Sequence, residues 1–107
     1  MQVIPLLPVP NQSLEVQLNN QDCTLNVYQA AYGLFLDLNV AGVSLVAGAV
    51  CEDRNRIVRY AYLGFIGDLC FIDTQGTNDP GYTGLGPGGR FQLAYLETTD
   101  SALLAPL

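Results

Sequence analysis

Asp73, Thr74, Gln75 and Gly76 come close to the Asp-Thr-Gly turn of aspartic proteases, in which two all-β halves set their carboxylates side by side so that they share one proton. The extra Gln75 displaces that turn. The spacing therefore predicts an Asp that leaves a strand and caps a glycine-rich turn. Gly84, Gly86 and Gly89 have the G-x-G-x-x-G spacing that brings backbone amides to a pyrophosphate. Here Pro87 lies among them and a strand pattern follows, so no helix start is available to hold a phosphate. Asp68, Asp73, Asn78 and Asp79 could offer oxygens to calcium, but their spacing matches no loop of alternating ligands. Histidine is absent from the chain, which removes the usual zinc and non-haem iron sites. Without His or Lys, and with serines only at Ser13, Ser44 and Ser101, the common nucleophile and base pairs cannot be assembled. The expectation is no catalytic residue, no cofactor and no metal.

Cys23, Cys51 and Cys70 are odd in number and widely spaced, which suggests buried free thiols in a reducing compartment rather than a disulfide framework or a zinc knuckle. Arg54, Arg56 and Arg59 form the one basic cluster. They stand beside Glu52 and Asp53, so ion pairs within the chain or across an interface are expected ahead of an anionic ligand. Tyr60, Tyr62 and Tyr82 suit either the rim of a core or an interface, and the sequence does not separate the two.

The composition narrows the function further. The 107 residues include ten carboxylates against four arginines, a formal charge of -6. This argues against neutralisation of a nucleic-acid backbone. Half of the residues are apolar and only 13% are charged, where about 25% is usual, so disorder is disfavoured. So low a charge suits a subunit whose surface is partly covered by partners. The opening MQVIPLLPVP has no basic residue and is broken by Pro5, Pro8 and Pro10, so no export signal is read there. The longest nearly apolar run, Ala41 to Cys51, falls well short of the roughly 20 residues of a membrane span. No membrane partner is expected.

The elements that must position these residues are strands. Leu14, Val16 and Leu18 alternate with Glu15 and Gln17, and after a turn at Asn19 to Asp22 the alternation resumes with Cys23, Leu25 and Val27. A second turn spans Ala30 to Gly33. Leu34, Leu36, Leu38 and Val40 form the clearest apolar stripe, and Ala41 and Gly42 connect it to a strand from Val43 to Cys51. That strand has no polar face and is predicted to be covered on both sides. Glu52 to Arg59 reads as a loop or a brief helical turn, and Leu63 to Gly67 as a bend. Asp68 to Thr74 and Phe91 to Tyr95 complete the strands. The prediction is an all-β fold: a small antiparallel barrel or two-layer sandwich of six to seven strands with an extended N-terminal arm. A proline-rich arm occupies residues 1–12, a single β domain 13–97 with a long Gly/Pro loop at 75–89, and a tail 98–107. The arm is expected to lie along a neighbour, so that deleting residues 2–10 would leave the domain folded. The long loop is expected to need a partner to order it.

The stretches Asn55-Arg56-Ile57-Val58-Arg59, Tyr62-Leu63-Gly64-Phe65, Gly67-Asp68-Leu69, Phe71 to Gly76, Asp79-Pro80 and Tyr82 to Gly86 resemble a family of small phage proteins, the cyanophage-type baseplate plug family. Leu25 to Gln29 and Gly33 to Leu38 are similar to it as well, so the resemblance covers nearly the whole chain. Pro87-Gly88-Gly89 looks like a short extension of the family's loop. The resemblance implies a structural component of a contractile tail, made in the host cytoplasm and located in the virion baseplate. It would sit at the central hub in several symmetric copies, beside hub, tube and spike proteins. It carries over no catalytic residue. Pro5, Pro8, Pro10, Arg54, Arg56, Arg59, Tyr82 and Leu85 are the candidate protein contacts. The alternatives are a free-standing β module that binds calcium or carbohydrate through the loop at 75–89, and an aspartic-protease-like enzyme in which Asp73 meets a symmetry-related Asp.

Overall fold

The computed structural model describes residues 2–58, 65–86 and 88–96. The strands are β1 (Gln2–Ile4), β2 (Asn11–Leu18), β3 (Gln21–Ala30), β4 (Gly33–Val40), β5 (Val43–Val50), β6 (Asp68–Asp73) and β7 (Phe91–Leu96). They form two antiparallel sheets, β2-β3-β4-β5 and β1-β7-β6, that are not closed into a barrel. One core joins them. Leu18, Leu25, Val27, Leu34, Leu36 and Leu38 of the first sheet pack in the same cluster as Leu69, Phe71, Leu93 and Tyr95 of the second. The two-layer alternative of the predicted all-β fold is therefore the one realised.

The meander forms where alternation and turn chemistry agree. Asn19 and Asn20 both have left-handed backbone (φ 53° and 62°), the geometry of a two-residue hairpin whose twist matches its strands. Gln21 and Asp22, expected in this turn, already belong to β3. Ala41 and Gly42 repeat the geometry (φ 51° and 81°) between β4 and β5.

β5 departs from expectation. Among the described residues it is an edge strand bonded only to β4, and Val43 and Val50 are 60% and 43% exposed. Leu45, Val46 and Ala49 pack on the core, while Ser44, Ala47 and Gly48 are exposed. The missing polar face reflects small residues at an edge, not double coverage. Pairing slips between Leu36↔Ala49 and Leu38↔Val46. At this bulge Gly48 takes φ 66° and donates its N–H to Asp37 Oδ1 at 2.6 Å.

The N-terminal arm is extended, as expected, but it is bound to its own domain. β1 pairs with β7 through Gln2↔Tyr95, Val3↔Ala94 and Ile4↔Leu93. Ile4 and Leu6 are core residues, 2% and 4% exposed. Beyond them the Gln12 side chain accepts from Leu7 N–H at 2.9 Å and donates to the Leu7 carbonyl at 2.7 Å, while the Pro10 carbonyl accepts from Gln29 N–H at 2.8 Å. This pairing and the burial of Ile4 and Leu6 argue against the expectation that residues 2–10 are dispensable for folding.

The far edge of β6 is covered by the segment after β5. Arg54 N–H donates to the Phe71 carbonyl at 2.7 Å and Ile57 N–H to the Leu69 carbonyl at 2.9 Å. Residues 52–58 thus run as a loop along β6, and Arg59 lies outside the described residues. The expected bend is present at Ile66 and Gly67, while Leu63 and Gly64 lie outside the described residues.

Candidate functional site

The chemistry-bearing residues of the second sheet converge on Asp73, the last residue of β6, which is 1% exposed. Its Oδ1 accepts from Gln75 N–H at 2.9 Å and its Oδ2 from Asn78 N–H at 2.8 Å, closing the turn over 73–78. Arg90 completes the arrangement, with Nε at 2.7 Å from Oδ1 and Nη2 at 2.8 Å from Oδ2. Such a two-pronged pair is among the strongest a carboxylate makes. The Arg90 hydrogen bonds hold the Asp73 carboxyl well below the usual carboxylate range, assisted by the Gln75 and Asn78 amides against the opposing effect of desolvation. The same bonds raise the pKa of Arg90.

This clamp orders the long loop from within. Thr74 N–H and Oγ1 both donate to the Arg90 carbonyl, at 2.8 and 2.7 Å. Gln92 Nε2 donates to the carbonyls of Gly86 and Gly89 at 3.2 and 2.7 Å, and Gln29 Oε1 accepts from Tyr82 N–H at 3.1 Å. These bonds tie the described part of the loop to its own domain. Asp73 caps a glycine-rich turn as predicted, and both of its oxygens are occupied. A carboxylate so held is not poised to share a proton with a second Asp.

Asp53 extends the network. Its Oδ1 accepts from Asp73 N–H at 2.8 Å, its Oδ2 pairs with Arg54 Nη1 at 2.7 Å, and its own N–H donates to Asp79 Oδ1 at 3.1 Å. Among the described residues no group of three or more His, Cys, Asp or Glu is arranged to hold a metal. No helix among them is long and apolar enough to cross a membrane. All three cysteines are unlinked and buried. Desolvation pushes the Cys51 thiol up to about 12 and Cys70 up to about 11, so neither is an activated nucleophile at neutral pH.

The candidate contact residues fall in different settings. Pro5, Pro8 and Pro10 are exposed, and Pro8 lies close to Gly86 of the loop. Arg54 is paired with Asp53 and also reaches the Gly76 carbonyl at 3.3 Å. Arg56 is half-buried and lies near enough to Cys70 for its charge to act on that thiol. Arg59, with Tyr60 and Tyr62, is outside the described residues. Tyr82 packs partly against the core in a short 3-10 turn, Tyr82–Gly84. Leu85 is a core residue, 4% exposed.

Two features lay outside the sequence expectation. Arg90 is the partner of Asp73, although the other three arginines formed the visible cluster. Its signal was positional: it directly precedes Phe91, the residue paired with Asp73 across β6 and β7. The second feature is Tyr28 stacked on Phe35, with ring centroids 5.9 Å apart, on the outer face of the first sheet.

None of the curated proteins compared matches the chain. The family described as "Cyanophage baseplate Pam3 plug gp18" matches residues 1–99. An internally clamped two-sheet domain with that match over nearly its whole length belongs to the cyanophage baseplate plug family.

Proposed function

We propose that this chain works in the phage tail baseplate as a non-enzymatic plug subunit, held at the central hub by contacts with hub, tube or spike proteins and present in several symmetric copies. The family match over residues 1–99 is the observation that carries this reading. The chemistry of the site supports it. The buried carboxylate best placed for catalysis, Asp73, is consumed by Arg90 and two backbone amides. The acidic balance suits a part beside the DNA path that does not grip the passing nucleic acid. The exposed prolines of the arm, together with Arg54, Arg56, Arg59 and Tyr82, are proposed contacts. The protein is made in the host cytoplasm and ends in the virion tail.

The experiment is deletion of the gene in its phage, with complementation by a tagged full-length chain. Tails from the complemented phage are expected to contain the chain in fixed ratio to a hub protein, by quantitative mass spectrometry. Tails that assemble and infect without it, or complemented tails from which it is absent, would overturn the assignment.

A further inference from the structure

The outer face of the first sheet is a graded surface. At one end the row Asn11, Tyr28, Phe35 and Val50 crosses all four strands in register. Next comes the row Ser13, Asn26 and Asp37, where Asp37 Oδ1 accepts from both Gly48 N–H and the Tyr28 hydroxyl. The row Glu15, Thr24, Asn39 and Ser44 follows, and then Gln17 beside Asp22. Glu15, Gln17, Asp22, Thr24, Ala41 and Gly42 border an open cavity of about 490 Å³ at this acidic end. Glu15 and Asp22 are exposed, and the Gln17 amide donates to Asp22 Oδ1 at 2.8 Å.

Charge decides what this face fits. Residues 11–50, which make the whole sheet, contain Glu15, Asp22 and Asp37 and not one Lys or Arg. The strands of the face therefore supply no counter-charge of their own. A second copy would bring the same carboxylates, and two of its arginines, Arg54 and Arg90, are already held by Asp53 and Asp73. Like charges placed opposite each other oppose docking. We infer that the outer face of β2-β3-β4-β5 docks a protein surface carrying lysine and arginine side chains. The basic groups enter the Glu15 and Asp22 cavity, and a guanidinium or apolar side chain covers the Tyr28 and Phe35 pair. The inference rests on the plug reading and specifies the partner's chemistry: a baseplate protein with a basic patch.

The chain contains no lysine, which makes carbodiimide coupling of carboxylates to lysine amines a clean probe. Full-length protein is added to baseplates purified from plug-deleted phage, and bound protein is measured by co-sedimentation at low and high salt. The wild type is expected to bind, to weaken with salt, and to form coupled peptides joining Glu15 or Asp22 to lysines of a baseplate protein. The Glu15→Gln/Asp22→Asn variant, with an unchanged melting temperature, is expected to bind about tenfold more weakly at low salt and to lose most of the salt dependence. Glu52→Gln, which removes a charge outside the strands of this face, is expected to match wild type. Wild-type binding with the double variant equally tight, and coupling only through other carboxylates, overturns the inference and leaves the plug reading standing. Failure of the wild type to bind plug-deleted baseplates overturns both. Binding of cellohexaose or chitohexaose that is lost in Tyr28→Ser would assign the face to sugars and also overturn the inference.

Discussion

Leu6→Ala tests whether the proline-rich arm belongs to the core. Leu6 is 4% exposed and packs in the central cluster, while Val3, on the same arm, is 55% exposed. The substitution removes three buried carbons, worth about 0.8 kcal/mol each, and leaves a cavity that adds to the loss. The expected cost is about 3 kcal/mol, a large share of the roughly 5 to 15 kcal/mol that holds a domain together. With a urea dependence of about 1 to 3 kcal/mol per molar, the unfolding midpoint falls by roughly 1 to 3 M. Val3→Ala is expected to move it by a few tenths of a molar. Tyrosine fluorescence and far-ultraviolet circular dichroism followed in urea measure both variants in the full-length chain. If Leu6→Ala unfolds at the midpoint of Val3→Ala, the arm is not part of the core. Deletion of residues 2–10, which takes away β1 with Ile4 and Leu6, would then be harmless.

Asp73→Asn is expected to lower the melting temperature at pH 7 and to flatten its response to acid. The folded state depresses the Asp73 pKa, so its contribution is fully present above the unfolded value near 4 and is lost as pH falls toward the lower folded value. Wild type should therefore lose stability on acidification below about pH 4 more steeply than the variant, and equal slopes would contradict the clamp. Cys51 and Cys70 should resist iodoacetamide at pH 8 in the native protein and react promptly in denaturant, by mass spectrometry; rapid native labelling would show that burial does not hold their thiols protonated. Gly67→Ala should destabilise strongly, because Gly67 has φ 92° and a Cβ there would meet the Leu96 carbonyl and the Tyr95 hydroxyl, which itself donates to the Ile66 carbonyl. An unchanged melting temperature would show that this bend has room.

The legible part of the fold is the part written in local pattern. Within its strands Leu14 to Val40 alternates with period two, and Asn19, Asn20, Ala41 and Gly42 supply two of the turns, so the meander could be traced strand by strand. Asp73 as the cap of a turn was legible for the same reason. β1 was not, because Pro5 directly follows a three-residue strand whose partner, β7, lies at the other end of the chain. β5 misled because apolar composition and burial are separate properties at a sheet edge. The Asp73 and Arg90 clamp joins residues seventeen positions apart across a loop, and the position of Arg90 beside Phe91 becomes a signal only once the register of β6 and β7 is known. The graded outer face appears only when register aligns four strands.

An electron-microscopy map of the intact tail tip reads out the proposed place of the chain at the centre of the baseplate. The map is expected to show the two-sheet domain near the tail axis in symmetric copies, with the β2-β3-β4-β5 outer face against a basic surface of a neighbouring protein. A tail tip whose central density is fully accounted for by other proteins, with this chain absent, would show that the chain is not a hub plug.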